Sequence, residues 1–470
     1  MRAYFKPFLC LVLLIASAFA QKLPSAAVSA DHMKEYSDDA VQWMHDYLRI
    51  NTSNPPGNEL AAAQFFKKVL DENGIENQVF EFTPGRANIW ARVKGAGTHR
   101  PLILLSHMDV VTSDATKWKA DPFSAEVIDG AMYGRGAQDM KNEGLAQLVV
   151  MVMLKREQVK LDRDVILLAT SDEEVNGIGT DWMIANKRDL LENAEFLITE
   201  GGENLLVNGH VESVGVDVAE KSPFWLTLTA HGTPGHASIP MADSAPNRLV
   251  RALSRVIAYH TELKVLPVVE EHFRALAETQ QGDMAAKFRD IRTALKDRAF
   301  AQKIAGDPQY AYLLRNTVSL TRLQGSKQTN VIPAEATAAL DVRLLPGEDQ
   351  HAFLELMKRV VGDPNVTVEP ESADFRKANA SDVNTTLFQV FREVSAAYFP
   401  GTPVVPTITS GYTENQRYRE IGINCYGFTP YAATKEESAT EHGNNERVRI
   451  EELRRAPKIL FDVVAMLGAR

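Results

Sequence analysis

Apolar and polar positions along the chain change period several times, and each change marks an element. "KEYSDDAVQWMHDYLRI" and "NELAAAQFFKKVLDENG" carry apolar residues at helical spacing, with "NTSNPPGN" between them as a loop. "NQVFEF", "ANIWARV" and "PLILLSHMDVV" read as strands. "DMKNEGLAQLVVMVMLKREQ" reads as a helix whose apolar stripe is Leu145, Leu148, Val149, Val152 and Met153. "DVILLATSDEE" is a continuous apolar run, the pattern of a strand covered on both faces. Helical "DWMIANKRDLLE" and the strand "EFLITEGG" follow. Strands alternating with helices predict an α/β domain with a mostly parallel sheet.

The pattern shifts near Asp217. "FWLTLTAHG", "NTVSLTRLQG", "ATAALDVRLLP" and "NVTVEPES" have period-2 character and are interleaved with helical "APNRLVRALSRVIAYH" and "DQHAFLELMKRVVG". That order predicts a ferredoxin-like sandwich, with a charged helical stretch from about Pro267 to Leu314 inserted after its first helix. From about Asn379 the α/β pattern resumes and ends in the helix "IEELRRAPKILFDVVAML". The expectation is one α/β domain, residues 21–216 and 379–470, interrupted by a smaller α+β domain at 217–378.

Composition adds four constraints. With 470 residues, 45% of them hydrophobic, the chain can bury more than one core. Its formal net charge of −10, with no long basic run, argues against nucleic acid and anionic membrane surfaces as partners. At the N-terminus Arg2 and Lys6 precede a short apolar run, and Ala18-Phe19-Ala20 precedes Gln21. That is the order of a secretory signal, residues 1–20, cut after Ala20. The run is shorter than the roughly 20 residues a bilayer requires, so the expectation is an exported protein, periplasmic or secreted, with no stable membrane span. Cys10 leaves with the signal and Cys425 then has no intrachain partner, so no disulfide framework is expected.

Acidic residues and histidines collect where strands stop, which is where α/β sheets place ligands. His107 and Asp109 in "LLSHMDVV" lie on one side of an extended chain, and a carboxylate there can take the second N–H of a metal-binding imidazole. Alone, a strand-end histidine is more often structural. Asp139 in "YGRGAQDMKNEG" opens a helix, where a capping Asp is the commoner reading. Glu173 and Glu174 close a buried strand, and neighbours in an extended segment point to opposite faces. Glu200 precedes two glycines, and His442 stands among turn formers in "TEHGNNERV". Two histidines with several carboxylates suit zinc, cobalt or manganese, not a thiolate site. Two divalent ions about 3.5–4 Å apart call for a bridging carboxylate and polarise a shared water. A carboxylate free of metal must then take the proton, so the adjacent glutamates have reason to diverge, one for metal and one for water.

"SHMDVV", "GRGAQDMK", "TSDEEVNG", "ITEGG", "GTPGHAS" and "HGNNE", in that order, resemble the successive motifs of the M20 family of metallopeptidases and aminoacylases, over nearly the whole chain after residue 20. "DMKNEG" and the long helical insert are similar to the carboxypeptidase S and secreted N-acyl-amino-acid hydrolase branch. The resemblance implies two divalent metal ions, zinc first and cobalt or manganese as alternatives. It implies His107, Asp139 and Glu200 on one ion, Asp139 bridging, and Glu174 and His442 with Asp139 on the other. Glu173 would be the general base and Asp109 the partner orienting His107. The interrupting unit resembles the family's lid and dimerisation domain, which implies a homodimer in which His236 reaches the neighbouring subunit's site and stabilises the oxyanion. On the residues alone, His236 reads more simply as a loop histidine in a Gly-Pro turn. Asn330, Arg343 and Gly411 match positions that contact substrate, and an Arg fork suits a carboxylate. "YTENQRYRE" departs from the family pattern, with Glu414 and Gln416 where Asp and Arg are expected. Glu at position 200, in place of Asp, is typical of the family's carboxypeptidases and acylases.

The expected reaction is therefore hydrolysis of an amide next to a free carboxylate, of carboxypeptidase or dipeptidase type, with an N-acyl-amino-acid amidohydrolase as the alternative. A binding protein on the same fold would be expected to lack Glu173 or several ligands. A retaining glycosidase holds its carboxyls about 5–5.5 Å apart across the scissile bond, which adjacent strand residues facing opposite ways fit poorly.

Overall fold

The structure is a computed structural model that describes residues 23–191, 193–372 and 377–470. The segment read as an export signal lies outside the described residues. An eight-stranded sheet runs, edge to edge, Glu76–Thr83, Arg86–Val93, Val165–Thr170, Leu102–His107, Phe196–Thr199, Asn424–Gly427, Val214–Glu220 and Val404–Thr409. Leu102–His107 and Val165–Thr170 are buried throughout, as their unbroken apolar runs require. Alternation divides each between two cores: Leu102 and Leu104 face one, Ile103 and Leu105 the other.

The sheet is mixed, with four of its seven strand pairs parallel. Leu102–His107 runs parallel to both its neighbours, Asn424–Gly427 to Phe196–Thr199, and Val404–Thr409 to Val214–Glu220. The other pairs are antiparallel. Glu76–Thr83 and Arg86–Val93 are separated only by Pro84 and Gly85, and so short a link permits only a hairpin.

The helix Lys141–Arg156 is buried on every side from Lys141 to Leu154. Its stripe understates its environment, because it lies between the sheet and the helices Ala30–Leu48 and Ile450–Gly468. The smaller sheet follows the expected ferredoxin-like order: Val366–Pro370, Leu226–His231, Glu335–Leu344, Thr317–Gln324, antiparallel throughout. Leu226, Leu228 and Ala230 point inward onto Ala245–Ala258 and Gln350–Val361, which share their core.

Two features differ from the sequence pattern. Residue 217, the expected boundary, falls inside Val214–Glu220, which belongs whole to the larger sheet. The helical stretch inserted in the smaller unit packs elsewhere: Val268, Val269, Phe273, Phe288, Phe300 and Leu314 join the core of the larger sheet, with Pro267–Leu276 against Val404–Thr409. Lys221, at the crossover between sheets, is buried and donates to the carbonyls of Tyr312 (3.2 Å) and Arg315 (2.8 Å) and to Thr317 Oγ1 (3.1 Å).

Candidate active site and metal centre

The ends of Leu102–His107, Val165–Thr170 and Phe196–Thr199 deliver their next residues to one place. His107, the last residue of its strand, donates from Nδ1 to the backbone carbonyl of Asp109 at 3.0 Å. This fixes the tautomer and leaves Nε2 facing Asp139 Oδ1 at 3.0 Å and Glu200 Oε2 at 3.5 Å. On the other side His442 Nε2 lies 2.8 Å from Asp139 Oδ2 and 3.2 Å from Glu174 Oε2. Asp139 thus stands between two imidazoles and offers one oxygen to each. His442 reaches it from a left-handed backbone conformation (φ 55°), which its Thr-Glu-His-Gly-Asn setting accommodates.

The glutamate pair is not on a strand. Val165–Thr170 stops three residues earlier, and Glu173 and Glu174 sit in a turn after Asp172, whose φ is 73°. The two side chains still diverge. Glu174 groups with His107 and Asp139, and Glu173 with His107 and Glu200, the ligand atoms of each trio lying within 4.8 Å of one another. The turn, not strand alternation, separates them, and Asp109 holds the turn. Its carboxylate accepts the backbone N–H of Glu173 (3.1 Å) and of Glu174 (3.2 Å), and Asn54 Nδ2 at 2.9 Å. Against His107 it is the Asp109 carbonyl that makes the close contact, while the carboxylate stands 3.6 Å away.

Further supporting residues were not singled out in the sequence, although Arg135 and Glu446 stand inside the quoted stretches "GRGAQDMK" and "HGNNE". Glu446, fully buried, accepts the backbone N–H groups of Gly136 (3.0 Å), Gln138 (2.7 Å) and Asp139 (3.2 Å). Arg135 pairs with Glu446 at 2.6 Å and donates to the carbonyls of His442 and Gly443, so one ion pair ties the Asp139 loop to the His442 loop. Asp217 accepts the N–H of Gly202 at 2.9 Å and fixes the loop after Glu200. A Cβ on Gly202 would come 2.3 Å from the Gly215 carbonyl, so the second glycine of "TEGG" is required by close packing.

The metal-ligand candidates strain against one another electrostatically. Burial lowers the basicity of His107, but Glu200, Asp109 and Asp139 outweigh it and hold the imidazole well above its usual pKa. Hydrogen bonds to Asp139 and Glu174 push His442 up to about 11. Burial, reinforced by Asp139 and Glu174, pushes Glu200 up to about 8. Burial and then Glu200 hold Glu173 well above the carboxylate range. Carboxylates that must borrow protons beside imidazoles that must stay cationic are a donor set that divalent cations satisfy, since cations replace those protons. The donors are nitrogen and oxygen only, which fits zinc, cobalt or manganese.

Asp139, Glu173, Glu174, Glu200 and His442 line a cavity of 1470 Å³. Arg343 and Gly411 line it too, but the Arg343 fork is engaged by Asp341 at 2.8 and 3.1 Å. His236 and Asn330 are outside the cavity wall. Both are exposed, His236 on the two-stranded ladder that pairs Gly235–His236 with Val331–Ile332 and Asn330 immediately before it. Of the residues that depart from the family pattern, Gln416 lines the cavity. Glu414 is buried and accepts from Thr170 Oγ1 (2.7 Å) and Thr180 Oγ1, tying the strand end to the helix Ile178–Asn186.

The profile of Peptidase family M20/M25/M40 matches residues 103–466. The chain is 25% identical to the human (Homo sapiens) N-fatty-acyl-amino acid synthase/hydrolase PM20D1 over 95% of its own length and 90% of that protein's. It is 26% identical to Aminoacylase-1 of Mus musculus, over 93% and 97% respectively. Among solved structures, the M20 family metallo-carboxypeptidase Sso-CP2 from Sulfolobus solfataricus superposes with a TM-score of 0.65 at 20% identity, over 92% of this chain and 100% of that one. The Bacillus subtilis YXEP protein, a dinuclear metal binding peptidase from the M20 family, superposes with a TM-score of 0.60 at 15% identity, over 93% and 99%. A family match spanning most of the chain, meeting a cluster of nitrogen and oxygen donors at its strand ends, makes this chain a member of Peptidase family M20/M25/M40 and a metal-dependent amide hydrolase.

Proposed function

We propose that the chain is an exported, dinuclear-metal hydrolase of amides next to a free carboxylate, acting on N-acyl amino acids ahead of dipeptides. The observation that carries the reaction is Asp139 shared between His107 and His442, with Glu173 and Glu174 on a turn beside it. Two divalent ions, zinc first, would be held by His107, Asp139 and Glu200 and by Asp139, Glu174 and His442, and would supply Lewis-acid polarisation of the carbonyl and of a water. Glu173 takes the proton of the attacking water and passes it to the leaving nitrogen. Its turn is held by Asp109, so the carboxylate is positioned before substrate arrives.

N-acyl amino acids come first because relatives covering more than nine tenths of the chain are named for them or as aminoacylases. The likeness to carboxypeptidase and dipeptidase structures is one of fold. Export rests on the charged, apolar and small-residue order of residues 1–20. A homodimer through the smaller sheet is supported by the exposed Val250 and Ile257 on one helix, and by His236 and Asn330 standing apart from this chain's own cavity.

The test uses the chain from Gln21 onward, loaded with zinc, on a mixed panel of N-acyl amino acids and dipeptides with products read by mass spectrometry. Free amino acid from the acyl compounds is expected. Release from dipeptides alone would give the peptidase reading, and release from neither with two metals bound would leave a binding protein on the same fold.

A further inference from the structure

The cavity is larger than the roughly 300–1,000 Å³ typical of small-molecule sites, at 1470 Å³, and it continues well past the metal-ligand cluster. Its far wall is built by the helical stretch and includes His272, Leu276, Thr279, Gln309, Tyr310 and Tyr312. None of these six carries a charge at neutral pH, whereas the near end is crowded with carboxylates. The separation follows from register. Thr199, which precedes Glu200, is level with Gly427, Gly427 with Asp217, and Asp217 with Thr407. Three strand spacings of about 4.8 Å place the far wall about 14 Å from the Glu200 strand.

His272, in the helix Pro267–Leu276, is 9% exposed. Its Nδ1 lies 3.0 Å from the carbonyl of Pro406, the residue before Thr407. A carbonyl can only accept, so Nδ1 carries the proton and Nε2 presents a lone pair. Nε2 has no hydrogen-bond partner among the described residues. Burial pushes the imidazole down to about 4, against which the bond to Pro406 acts only in part, so the ring is neutral at neutral pH. Nε2 is unpartnered yet not sealed from solvent, so it opens on the cavity and can take a donor there.

We propose that His272 Nε2 is a specificity-determining acceptor for the substrate, selecting amides whose arm carries an uncharged N–H or O–H donor about three strand spacings, roughly 14 Å, from the Glu200 end of the cavity. This rests on the amide-hydrolase reading of the same cavity. At about 3.5 Å per residue an extended peptide arm of four residues spans that length, as does a long acyl chain bearing a hydroxyl. The two sources share the recognised chemistry, a neutral donor.

The experiment uses the zinc-loaded chain and matched N-acyl amino acids with arms of equal length: plain hydrocarbon, hydroxyl-bearing and amide-bearing, with the N-acetyl compound as a short control. Kd is read by calorimetry, and KM and kcat by product release. Donor-bearing arms should bind the wild-type chain about tenfold more tightly than the plain arm, the size of one good hydrogen bond. His272→Asn, whose amide can still donate to Pro406, should lose that preference through KM while kcat on the N-acetyl compound is retained. His272→Gln, whose amide oxygen can still accept, should keep part of it. Preference for the hydroxyl arm names an acyl source, and preference for the amide arm names a peptidyl one. Equal affinity of the wild-type chain for plain and donor-bearing arms overturns the proposal, as does a preference that survives in His272→Asn. Binding is read whether or not any amide is cleaved, so failure of the hydrolytic reading leaves this result distinct.

Discussion

The Asp109 carboxylate accepts the backbone N–H of Glu173 at 3.1 Å, across 64 positions of sequence. A second bond, to the N–H of Glu174, comes from the other oxygen. One buried group therefore sets the directions of both glutamates, and through its own carbonyl it also sets the tautomer of His107.

Replacing Asp109 with Ala removes the acceptor of both glutamate N–H groups and keeps the backbone carbonyl that holds His107. Supporting partners of metal ligands typically contribute about 10–100-fold in affinity or activity, and a loss in that range is expected in both zinc affinity and kcat/KM. Metal titration alongside initial rates checks it, and a variant unchanged in both would show that the turn holds without the carboxylate.

Glu173→Gln keeps the shape of the side chain and removes the proposed base. Turnover should fall by about 10²–10⁴-fold, the usual contribution of a positioned proton acceptor, with two metals per chain still bound by elemental analysis. Undiminished turnover would assign the proton to another group.

Glu446→Ala removes the acceptor for three consecutive-loop N–H groups and unpairs Arg135. The Asp139 and His442 loops lose their tie, so zinc affinity should drop about 10–100-fold and the melting temperature should fall as well. Equilibrium dialysis and calorimetry read the two effects separately.

Chelation should destabilise the chain, since the clustered carboxylates then face one another without cations. At free zinc about 100-fold above Kd, binding adds about 2.7 kcal/mol to the folded state, so the melting temperature should rise with zinc concentration and return to a floor in excess chelator. A melting temperature independent of zinc would contradict binding to the folded state.

His272 provides a stability signature in acid. Its pKa is about 4 in the folded chain and near 6.5 unfolded, so between those values the unfolded chain binds the additional proton. Stability contributed by the neutral ring is complete above pH 6.5 and is lost as pH falls through 4, an effect of order 3 kcal/mol. Denaturant unfolding of the wild-type chain and His272→Asn between pH 7 and 4 should show a shallower pH slope for the variant, and equal slopes would place the ring in a wetter setting.

The strands and helices that build both sheets are legible in the chain because apolar period is a property of near neighbours. Leu102–His107 and Leu226–His231 announce themselves as doubly and singly covered strands by residues two apart. Apart from His442, which stands in a turn, the ligand candidates are legible for the same reason, each lying within a few residues of a strand end or helix start. Which carboxylate meets which imidazole is not legible from local pattern, and only the family resemblance implied it, since His107 and His442 are brought to one aspartate by a sheet that interleaves the two ends of the chain. Nor could sequence show that the helical stretch of residues 267–314 leaves the unit it is inserted in and walls the cavity from the larger core. An amphipathic helix states that it has a face to bury, and only the packed structure decides which apolar surface receives it.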